Sequence, residues 1–326
     1  MKTETQGFDC QSKQLTWSVV IPVYNITEFL KETIESVIRN NWLADDMEII
    51  IVDNSNTETD IDSIMSSYSS VKNLRYSKNE VSLPMADNWN HCIKLAKGEL
   101  VHILHSDDFI ADSFYETYSQ HFKEDTSLGL LCSEAHVVDA ESKVIGEVKI
   151  PDFLLSKTQS IDGLLYENYL NCPSVVVRRE VYNKHGNFST NLKYCLDWEM
   201  WARAIHFCSG KGLKQKLAYY RDSGLNATLS LHKSGEHALD RVRCCQLIKQ
   251  YYPAMNARKA RLEAMRLAYI KYVKFLSLND QESATNNLQA FKAIGSLDDL
   301  LLFYLKNYNL VLRIRTRLRS LFLRGR

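Results

Sequence analysis

Residues that interrupt regular structure are scarce in this sequence. Only 5 of the 326 residues are proline and 12 are glycine, so long flexible linkers are not expected. No stretch reaches the roughly 18 uninterrupted apolar residues of a membrane-spanning helix, and the N-terminal MKTETQGFDCQSKQ lacks the apolar core of a signal peptide. With 45% hydrophobic and 24% charged residues, the composition excludes a disordered chain, a collagen-like chain and a small disulfide scaffold.

Several motifs of common protein classes are missing as well. The eight cysteines form no Cys-x-x-Cys pair, which predicts reduced thiols in a cytosolic protein and leaves zinc binding unsupported. The phosphate loops GxGxxG and GxxxxGKS/T are absent, and so are GxSxG and HExxH. The missing phosphate loops count against a nicotinamide-dependent enzyme, a kinase and a P-loop ATPase.

The formal net charge of +1 conceals an uneven distribution. Residues 1–232 carry 22 basic and 32 acidic side chains, a balance of −10, whereas residues 233–326 carry 18 and 7, a balance of +11. Near the end, Leu310–Leu323 places apolar residues on one helical face with arginines beside them, a pattern typical of a helix at a membrane surface. We expect this tail to contact an anionic surface; a packing or dimerisation helix is the alternative.

Apolar runs alternate with helical patterns over the first 110 residues. The runs predict strands at Trp17–Val23, Met47–Val52 and Leu100–Leu104, with a helix entered at Thr27 after the first of them. Strands that are apolar throughout are typical of parallel sheets covered on both faces. The predicted fold is therefore α/β, with a Rossmann-like, mostly parallel sheet between helices. The later elements are predicted as strands at Gly129–Val138, Ser174–Arg178 and Leu213–Tyr220, a helix at Asp197–Phe207 and a helical region from His232 onward.

Polar residues directly follow three predicted strands, at Tyr24-Asn25, Asp53-Asn54-Ser55 and Asp107-Asp108. Ligands of such sheets bind outside the carboxyl ends of the strands, so these residues are expected to converge on one crevice. Adjacent carboxylates at Asp107 and Asp108 favour a divalent cation; an acidic loop or helix cap is the alternative. Asp53 is interpreted as an acceptor for a base or ribose, or as a turn residue, and Asp197 as a helix N-cap or a general base.

The motifs occur in a definite order along the chain: Ser18–Asn25, Glu48–Ser55, Asn88-Trp89-Asn90, Ala96–Glu99, Leu104–Asp108, Pro173–Arg179, Gly186-Asn187-Phe188, Asp197–Arg203 and Tyr220-Arg221. This ordered set resembles the family-2 glycosyltransferases with the GT-A fold, over roughly residues 16–230. The resemblance implies a nucleotide-sugar donor, a divalent metal and a single inverting displacement at the anomeric carbon.

The resemblance also implies roles for individual residues. The donor would be bound by Pro22, Tyr24, Asn25, Asp53, Asn88, Asp107 and Arg221, with Asp53 on the base. Asp107, with Asp108 beside it, would hold Mg²⁺ or Mn²⁺ on the donor diphosphate. Asp197 would take the proton of the acceptor hydroxyl, because a hydroxyl is a poor nucleophile until a carboxylate accepts its proton.

Three positions depart from the family pattern. His105 stands where the metal motif usually begins with an aspartate, and Leu196 replaces the acid that commonly precedes the base. Ser223 stands where a histidine often follows the Tyr-Arg pair, and His232 is a candidate substitute for it. These departures concern metal binding rather than the fold.

The resemblance implies a setting in bacterial surface-polysaccharide assembly, such as O-antigen synthesis. The expected donor is a UDP-sugar, with a dTDP- or GDP-sugar as alternatives, from which a hexosyl or deoxyhexosyl group is moved to a glycan on a polyprenyl diphosphate. The expected location is cytoplasmic and peripheral on the inner membrane face, without a nucleic-acid partner. A transferase with a soluble or protein acceptor, and a catalytically silent nucleotide-sugar-binding module, are the alternatives.

The expected organisation has three parts. Residues 1–15 form an extension, and residues 16–230 form a catalytic domain that divides at 110 into nucleotide-binding and acceptor halves. Residues 231–326 form a helical region that ends in the basic amphipathic segment.

Overall fold

The computed structural model describes residues 16–25, 28–41, 46–224 and 227–306. Its strands are β1 (Trp17–Val23), β2 (Met47–Asp53), β3 (Leu74–Lys78), β4 (Leu100–Ile103), β5 (Phe109–Ile110), β6 (Leu130–Val138), β7 (Val144–Val148), β8 (Val175–Arg178) and β9 (Gly210–Arg221). Its α-helices are α1 (Leu30–Ile38), α2 (Ile61–Ser66), α3 (Met85–Leu95), α4 (Phe114–Glu124), α5 (Arg179–His185), α6 (Leu196–Cys208), α7 (Ala227–Lys233), α8 (Glu236–Tyr251), α9 (Ala257–Ser277), α10 (Gln281–Ile294) and α11 (Leu297–Lys306). Short 3₁₀ turns lie at Asp152–Leu154, Asp162–Leu164 and Cys172–Ser174.

Nine strands of the described chain form one sheet in the order β3-β2-β1-β4-β8-β6-β9-β5, with β7 paired to β6. The first four strands of this order run parallel to one another, as the sequence predicts. From β4 onward the sheet is mixed: β8 runs antiparallel to both β4 and β6, whereas β9 runs parallel to β6. The parallel half therefore brings the carboxyl ends of β1, β2 and β4 to one edge, and the mixed half extends the sheet beside it.

The apolar strands are buried on both faces because successive side chains of a strand point to opposite sides. In β1, Val20 packs in one cluster with α3 and α6, whereas Val19 and Ile21 pack in a second cluster with α1 and α4. The predicted covering of the sheet by helices on both faces is confirmed, and this arrangement leaves the strand ends as the open part of the sheet.

The helices after residue 226 divide between two cores. Helix α8 contributes Cys244, Cys245 and Ile248 to the same cluster as α3 and α6. Helices α9, α10 and α11 meet in a separate cluster around Met265, Phe291 and Phe303. The predicted helical C-terminal region is thus present, although α8 and the start of α9 also pack into the core beneath the sheet.

Two sequence predictions concern residues that the structure does not describe. The amphipathic segment Leu310–Leu323 lies outside the described residues, and so does Thr27, the predicted start of the first helix. Among the described helices, none combines the length and hydropathy needed to cross a bilayer.

Candidate active site

A cavity of about 890 Å³ opens at the carboxyl ends of β1, β2 and β4. The sequence-predicted residues that line it are Pro22, Tyr24, Asn25, Asn88, Asp107 and Asp197. The register explains part of this convergence, since Val23 at the end of β1 pairs with Asp53 at the end of β2. Asp197 lies on a second wall of the cavity. This wall is formed by the irregular segment 167–171, which follows the second 3₁₀ turn, and by the start of α6. One crevice therefore holds residues from both halves of the predicted catalytic domain.

Hydrogen bonds join the loop after β1 to the loop after β2. The backbone N–H of Asn25 donates to the Ser55 hydroxyl at 3.0 Å, and its side-chain amide donates to Asn56 Oδ1 at 2.8 Å. Asn25 has a φ of +60°, a left-handed conformation that asparagine tolerates better than most residues. This turn leaves the Tyr24 ring 53% exposed at the cavity mouth.

Asp53 is buried behind the cavity rather than in its lining. Its Oδ2 accepts a hydrogen bond from the Tyr76 hydroxyl at 2.8 Å and lies 3.7 Å from Lys78 Nζ, and Oδ1 accepts the Ser55 backbone N–H at 2.9 Å. Burial by itself would raise the pKa of Asp53, but these partners outweigh it and hold the pKa below its ordinary value. A direct contact with a base stays a prediction for this residue.

The next residue, Asn54, does line the cavity, and sequence reasoning assigned it no role. Its Oδ1 accepts hydrogen bonds from the Leu83 backbone N–H at 2.7 Å and from Asn79 Nδ2 at 2.8 Å. Asn79 Nδ2 also donates to Asn88 Oδ1 at 2.9 Å. The side-chain amide of Asn79 thus orients two cavity residues, Asn54 and Asn88. The polar run that follows β2 was the feature of the sequence that could have pointed to Asn54.

Asp107, Asp108 and His105 lie together after β4, with their ligand atoms within 4.8 Å of one another. Oδ1 of the buried Asp108 accepts the Arg221 backbone N–H at 2.8 Å. Oδ2 receives no hydrogen bond from the described residues and lies 3.6 Å from His105 Nδ1. Burial, with the neighbouring Asp107, raises the pKa of Asp108 well above its usual range.

A divalent cation fits this cluster. It would satisfy the unpartnered oxygen of Asp108 and relieve the repulsion between two adjacent carboxylates. Carboxylate oxygens are ligands that suit Mg²⁺ and Mn²⁺. His105, which in the sequence counts only as a departure from a pattern, places a third candidate ligand atom beside them.

Arg221 is fully buried, and its guanidinium is engaged by the protein. Nε donates to the Asp107 carbonyl at 2.8 Å, and the terminal nitrogens donate to the carbonyls of Asp139 and Ala140, the Ser142 hydroxyl and the Glu32 carboxylate. The group also lies 4.3 Å from the centre of the Phe29 ring. With all five N–H groups in use, Arg221 holds the Asp107-Asp108 turn in place, and the sequence-predicted contact with the donor would require these bonds to break.

Asp197 lies in the first turn of α6 and faces the cavity. Cys195, not Asp197, is the residue that precedes the helix, so the N-cap interpretation is wrong. Its Oδ1 accepts the Trp198 backbone N–H at 2.7 Å, and Oδ2 accepts Asn168 Nδ2 at 3.0 Å. Burial raises the pKa of Asp197 to about 6, which leaves the carboxylate ionised at neutral pH and a better proton acceptor than an ordinary aspartate.

The family model "Glycosyl transferase family 2" matches residues 18–162. This matched segment contains β1 to β4 and the Asp107-Asp108 turn, which form the wall of the cavity at the strand ends. The matched domain belongs to glycosyl transferase family 2. An uncharacterised glycosyltransferase of Methanocaldococcus jannaschii is 27% identical over 190 residues, covering 58% of this chain and 64% of that protein. A poly(ribitol-phosphate) beta-glucosyltransferase of Bacillus spizizenii is 31% identical over 119 residues, covering 35% and 19% respectively.

Solved structures extend the likeness beyond the matched domain. S. aureus TarS 1–349 in complex with UDP-GlcNAc superposes with a TM-score of 0.64 at 17% identity, covering 93% of this chain and 88% of that one. A mannosyltransferase from Pyrobaculum calidifontis in complex with GDP-Man and Mn²⁺ gives 0.55 at 16% identity, with 92% and 82% covered. The predicted GT-A fold is therefore confirmed, and the predicted family is confirmed for the matched residues 18–162.

Proposed function

We propose that this chain is an inverting glycosyltransferase that moves a sugar from a nucleotide-sugar donor to a glycan acceptor. The observation that carries the proposal is the placement of two chemical groups on one cavity: the His105, Asp107 and Asp108 cluster, and the Asp197 carboxylate. The first suits the diphosphate of a donor, and the second suits the hydroxyl of an acceptor. A nucleotide-binding domain without a Gly-rich loop needs such a cluster, because nothing else in the motifs neutralises a diphosphate.

The reaction follows from these two groups. Asp107, with Asp108 beside it, would hold a divalent cation, and that cation would neutralise the charge that develops on the leaving nucleoside diphosphate. Asp197 accepts the proton of the acceptor hydroxyl as its oxygen bonds to the anomeric carbon. The bond from that carbon to the diphosphate oxygen breaks on the opposite side, so the configuration inverts and no covalent intermediate with the protein forms.

The donor is proposed to be a UDP-sugar, with dTDP- and GDP-sugars as alternatives. Support comes from the structural neighbours, which are described with UDP-GlcNAc and with GDP-Man and Mn²⁺. Tyr24, Asn25 and Asn54 lie at the end of the cavity near β1 and β2, where a nucleoside would bind in a sheet of this kind. The transferred group is proposed to be a hexosyl or deoxyhexosyl residue.

The acceptor is proposed to be a surface-polysaccharide glycan on a polyprenyl diphosphate, as in O-antigen synthesis. A relative named for glucosyl transfer to poly(ribitol-phosphate) supports a polymeric acceptor. The basic sequence at Leu310–Leu323 supports peripheral attachment to the inner membrane face, since arginines beside an apolar stripe attract anionic lipid.

Binding of nucleoside diphosphates, followed by thermal shift with and without Mn²⁺, tests the donor site. We expect one nucleotide to stabilise the wild type only with metal, and Asp107→Ala to abolish that stabilisation. Asp112→Ala is the matched control, because Asp112 is an exposed carboxylate in a surface ion pair with Arg39. Binding without turnover of any acceptor would favour the silent binding module, and no binding in either condition would refute the donor site.

A further inference from the structure

The carboxylate of Asp240 accepts three consecutive backbone hydrogen bonds. Its Oδ2 lies 3.0 Å from the nitrogen of Lys193, 2.8 Å from that of Tyr194 and 2.8 Å from that of Cys195. Its Oδ1 accepts a hydrogen bond from Arg243 Nη1 at 3.2 Å. Asp240 is fully buried, and it belongs to α8, outside the predicted catalytic domain. A buried carboxylate from the C-terminal region therefore binds the segment that leads into α6.

This segment carries the acceptor wall of the cavity. Lys193, Tyr194 and Cys195 all line the cavity, and Asp197 follows two residues later. The three N–H groups point at one anion at the start of α6, the end of a helix where a negative charge is favourable. Without Asp240, the buried N–H of Cys195 and the partly buried N–H groups of Lys193 and Tyr194 would lose their acceptor. A buried donor left unpaired costs free energy comparable to a lost hydrogen bond.

The neighbouring residue Arg241 reaches the opposite side of the same wall. Its guanidinium lies 4.6 Å from the centre of the Trp198 ring and donates a hydrogen bond to the carbonyl of Tyr166. Tyr166 lies two residues before Asn168, whose amide binds Asp197. Two consecutive residues of α8 thus contact both segments that surround the Asp197 carboxylate.

We propose that Asp240 is a positioning residue for glycosyl transfer, holding residues 193–195 and through them Asp197 and the acceptor side of the cavity. The inference rests on the proposed function, in which Asp197 is the base. It also extends the catalytic unit past residue 230, since α8 supplies both the carboxylate and part of the core under α6.

The charged and titratable groups around Asp197 make the role measurable. Cys172 and Tyr194 are close to Asp197, and burial raises the pKa of both groups, that of Tyr194 to about 12. Both are therefore neutral at the working pH, and Asp240 supplies a negative charge that raises the pKa of Asp197. Removing this charge lowers the pKa of Asp197. Exposure of the carboxylate would lower it as well, because burial is the largest cause of the raised pKa, so the pKa is read together with hydrogen exchange at residues 193–195.

Asp240→Asn in the full chain tests the proposal. We expect the Kd for a nucleoside diphosphate with Mn²⁺ to stay within about twofold, whereas kcat falls about tenfold or more, the equivalent of one charge-assisted hydrogen bond. The acidic limb of kcat/KM against pH should move to lower pH. Asp299→Asn is the matched control: Asp299 is a buried carboxylate bound by Arg258 and Arg261 in the helical region, away from the cavity, and its loss should leave the pH profile unchanged.

Two readouts without turnover separate this inference from the proposed function. Hydrogen exchange at the amides of residues 193–195 should become faster in Asp240→Asn than in Asp299→Asn. Tryptophan fluorescence is titrated with pH, and the signal of Asp197→Asn is subtracted so that the remaining change reports Asp197 through the adjacent Trp198. The pKa obtained in this way should be lower in Asp240→Asn than in wild type.

Equal exchange and an equal titration in wild type and Asp240→Asn would overturn the positioning role, whatever the activity. A loss of turnover in Asp197→Asn alone would support the proposed function and refute this inference. If Asp240→Asn fails to fold, Asp240→Glu, which keeps the charge and displaces it by one methylene group, takes its place. Faster hydrogen exchange at residues 193–195 together with a kcat equal to wild type in that variant would also overturn the role.

Discussion

The side-chain amide of Asn168 donates a 3.0 Å hydrogen bond to Oδ2 of Asp197. The other face of Asn168 is fixed as well, because its Oδ1 accepts the backbone N–H of Leu170 at 3.1 Å. The amide therefore holds the outer oxygen of the proposed base in a set direction within the cavity. Asn168 lies in an irregular segment, and no sequence motif pointed to it.

Replacing Asn168 with alanine should impair transfer without weakening donor binding. A hydrogen bond to a charged group contributes about 1.5–3 kcal/mol, so we expect kcat to fall by about ten- to hundredfold. Because this bond favours the ionised form, its loss raises the pKa of Asp197, and the defect should be larger at acidic than at alkaline pH. Asn171→Ala removes an amide from the same cavity wall; an identical pH-dependent loss there would contradict the specific role of Asn168.

The wild-type enzyme should lose activity at a higher pH than an ordinary aspartate base would allow. The base must be ionised to accept a proton, and burial raises the pKa of Asp197 to about 6. Below that pH, kcat/KM should fall about tenfold for each unit of pH. Initial rates across a series of buffers at constant ionic strength give the profile, and an acidic limb near the usual aspartate value would argue that another group is the base.

Asp197→Asn should abolish transfer and yet stabilise the fold at neutral pH. We expect kcat to fall by about 10²–10⁴-fold, the usual contribution of general base catalysis. The pKa of Asp197 is about 6 in the folded chain against an ordinary value of 3.8, so the folded state binds the proton more tightly. Ionisation therefore lowers the free energy of unfolding as pH rises through this window, and the neutral amide removes that cost.

Thermal midpoints of wild type and Asp197→Asn, compared at several pH values, check this prediction. The stabilisation should be present at neutral pH and should vanish as pH falls toward the unfolded-state pKa. Asp112→Asn is a control for the loss of an exposed carboxylate, with a side chain 72% exposed. A variant that is less stable than wild type at neutral pH would contradict the assigned shift.

Arg221→Gln should lower the free energy of unfolding more than it lowers the affinity for the donor. The substitution removes a buried cation and leaves the half-buried Glu32 and several carbonyls without their donor. Each buried acceptor left unpaired typically costs about 1–3 kcal/mol in the free energy of unfolding. Urea denaturation measures the loss. Arg39→Gln, which breaks the exposed pair with Asp112, should change stability by less than about 1 kcal/mol. If the variant is as stable as wild type but binds nucleotide more weakly, that result would instead support the direct contact between Arg221 and the donor that the sequence predicts.

The strands of the nucleotide half could be predicted closely because they are continuous apolar runs. The bounds of β1 agree with the prediction at both ends, and β2 is longer by one residue. The strands after Leu128 were also predicted, but not their partners: β8 inserts between β4 and β6 and runs antiparallel to both. Pairing and direction depend on which strands meet after the chain folds back, and no local pattern encodes that.

Strand-end positions predicted where the cavity opens, but not which side chains line it. Asp53 and Asn54 are adjacent, and only Asn54 lines the cavity, because successive side chains point to opposite sides. Arg221 closes a family motif, yet its guanidinium turns inward to Glu32, 189 residues earlier in the chain. Contacts at this separation follow from packing rather than from sequence spacing.

By itself, the sequence determined the α/β alternation, the buried strands, the convergence of polar residues at their carboxyl ends and the family-2 motifs, because periodicity and order along the chain express all of these. Only the tertiary structure decided the partners of each polar group. In the folded chain, Asn168 donates a hydrogen bond to Asp197, and the buried Arg221 donates one to the carbonyl of Asp107. Asp240 of α8 accepts the backbone N–H of Cys195 at the start of α6. These relationships join residues distant in sequence, and a buried polar group takes its partner from whatever packing brings within hydrogen-bonding distance.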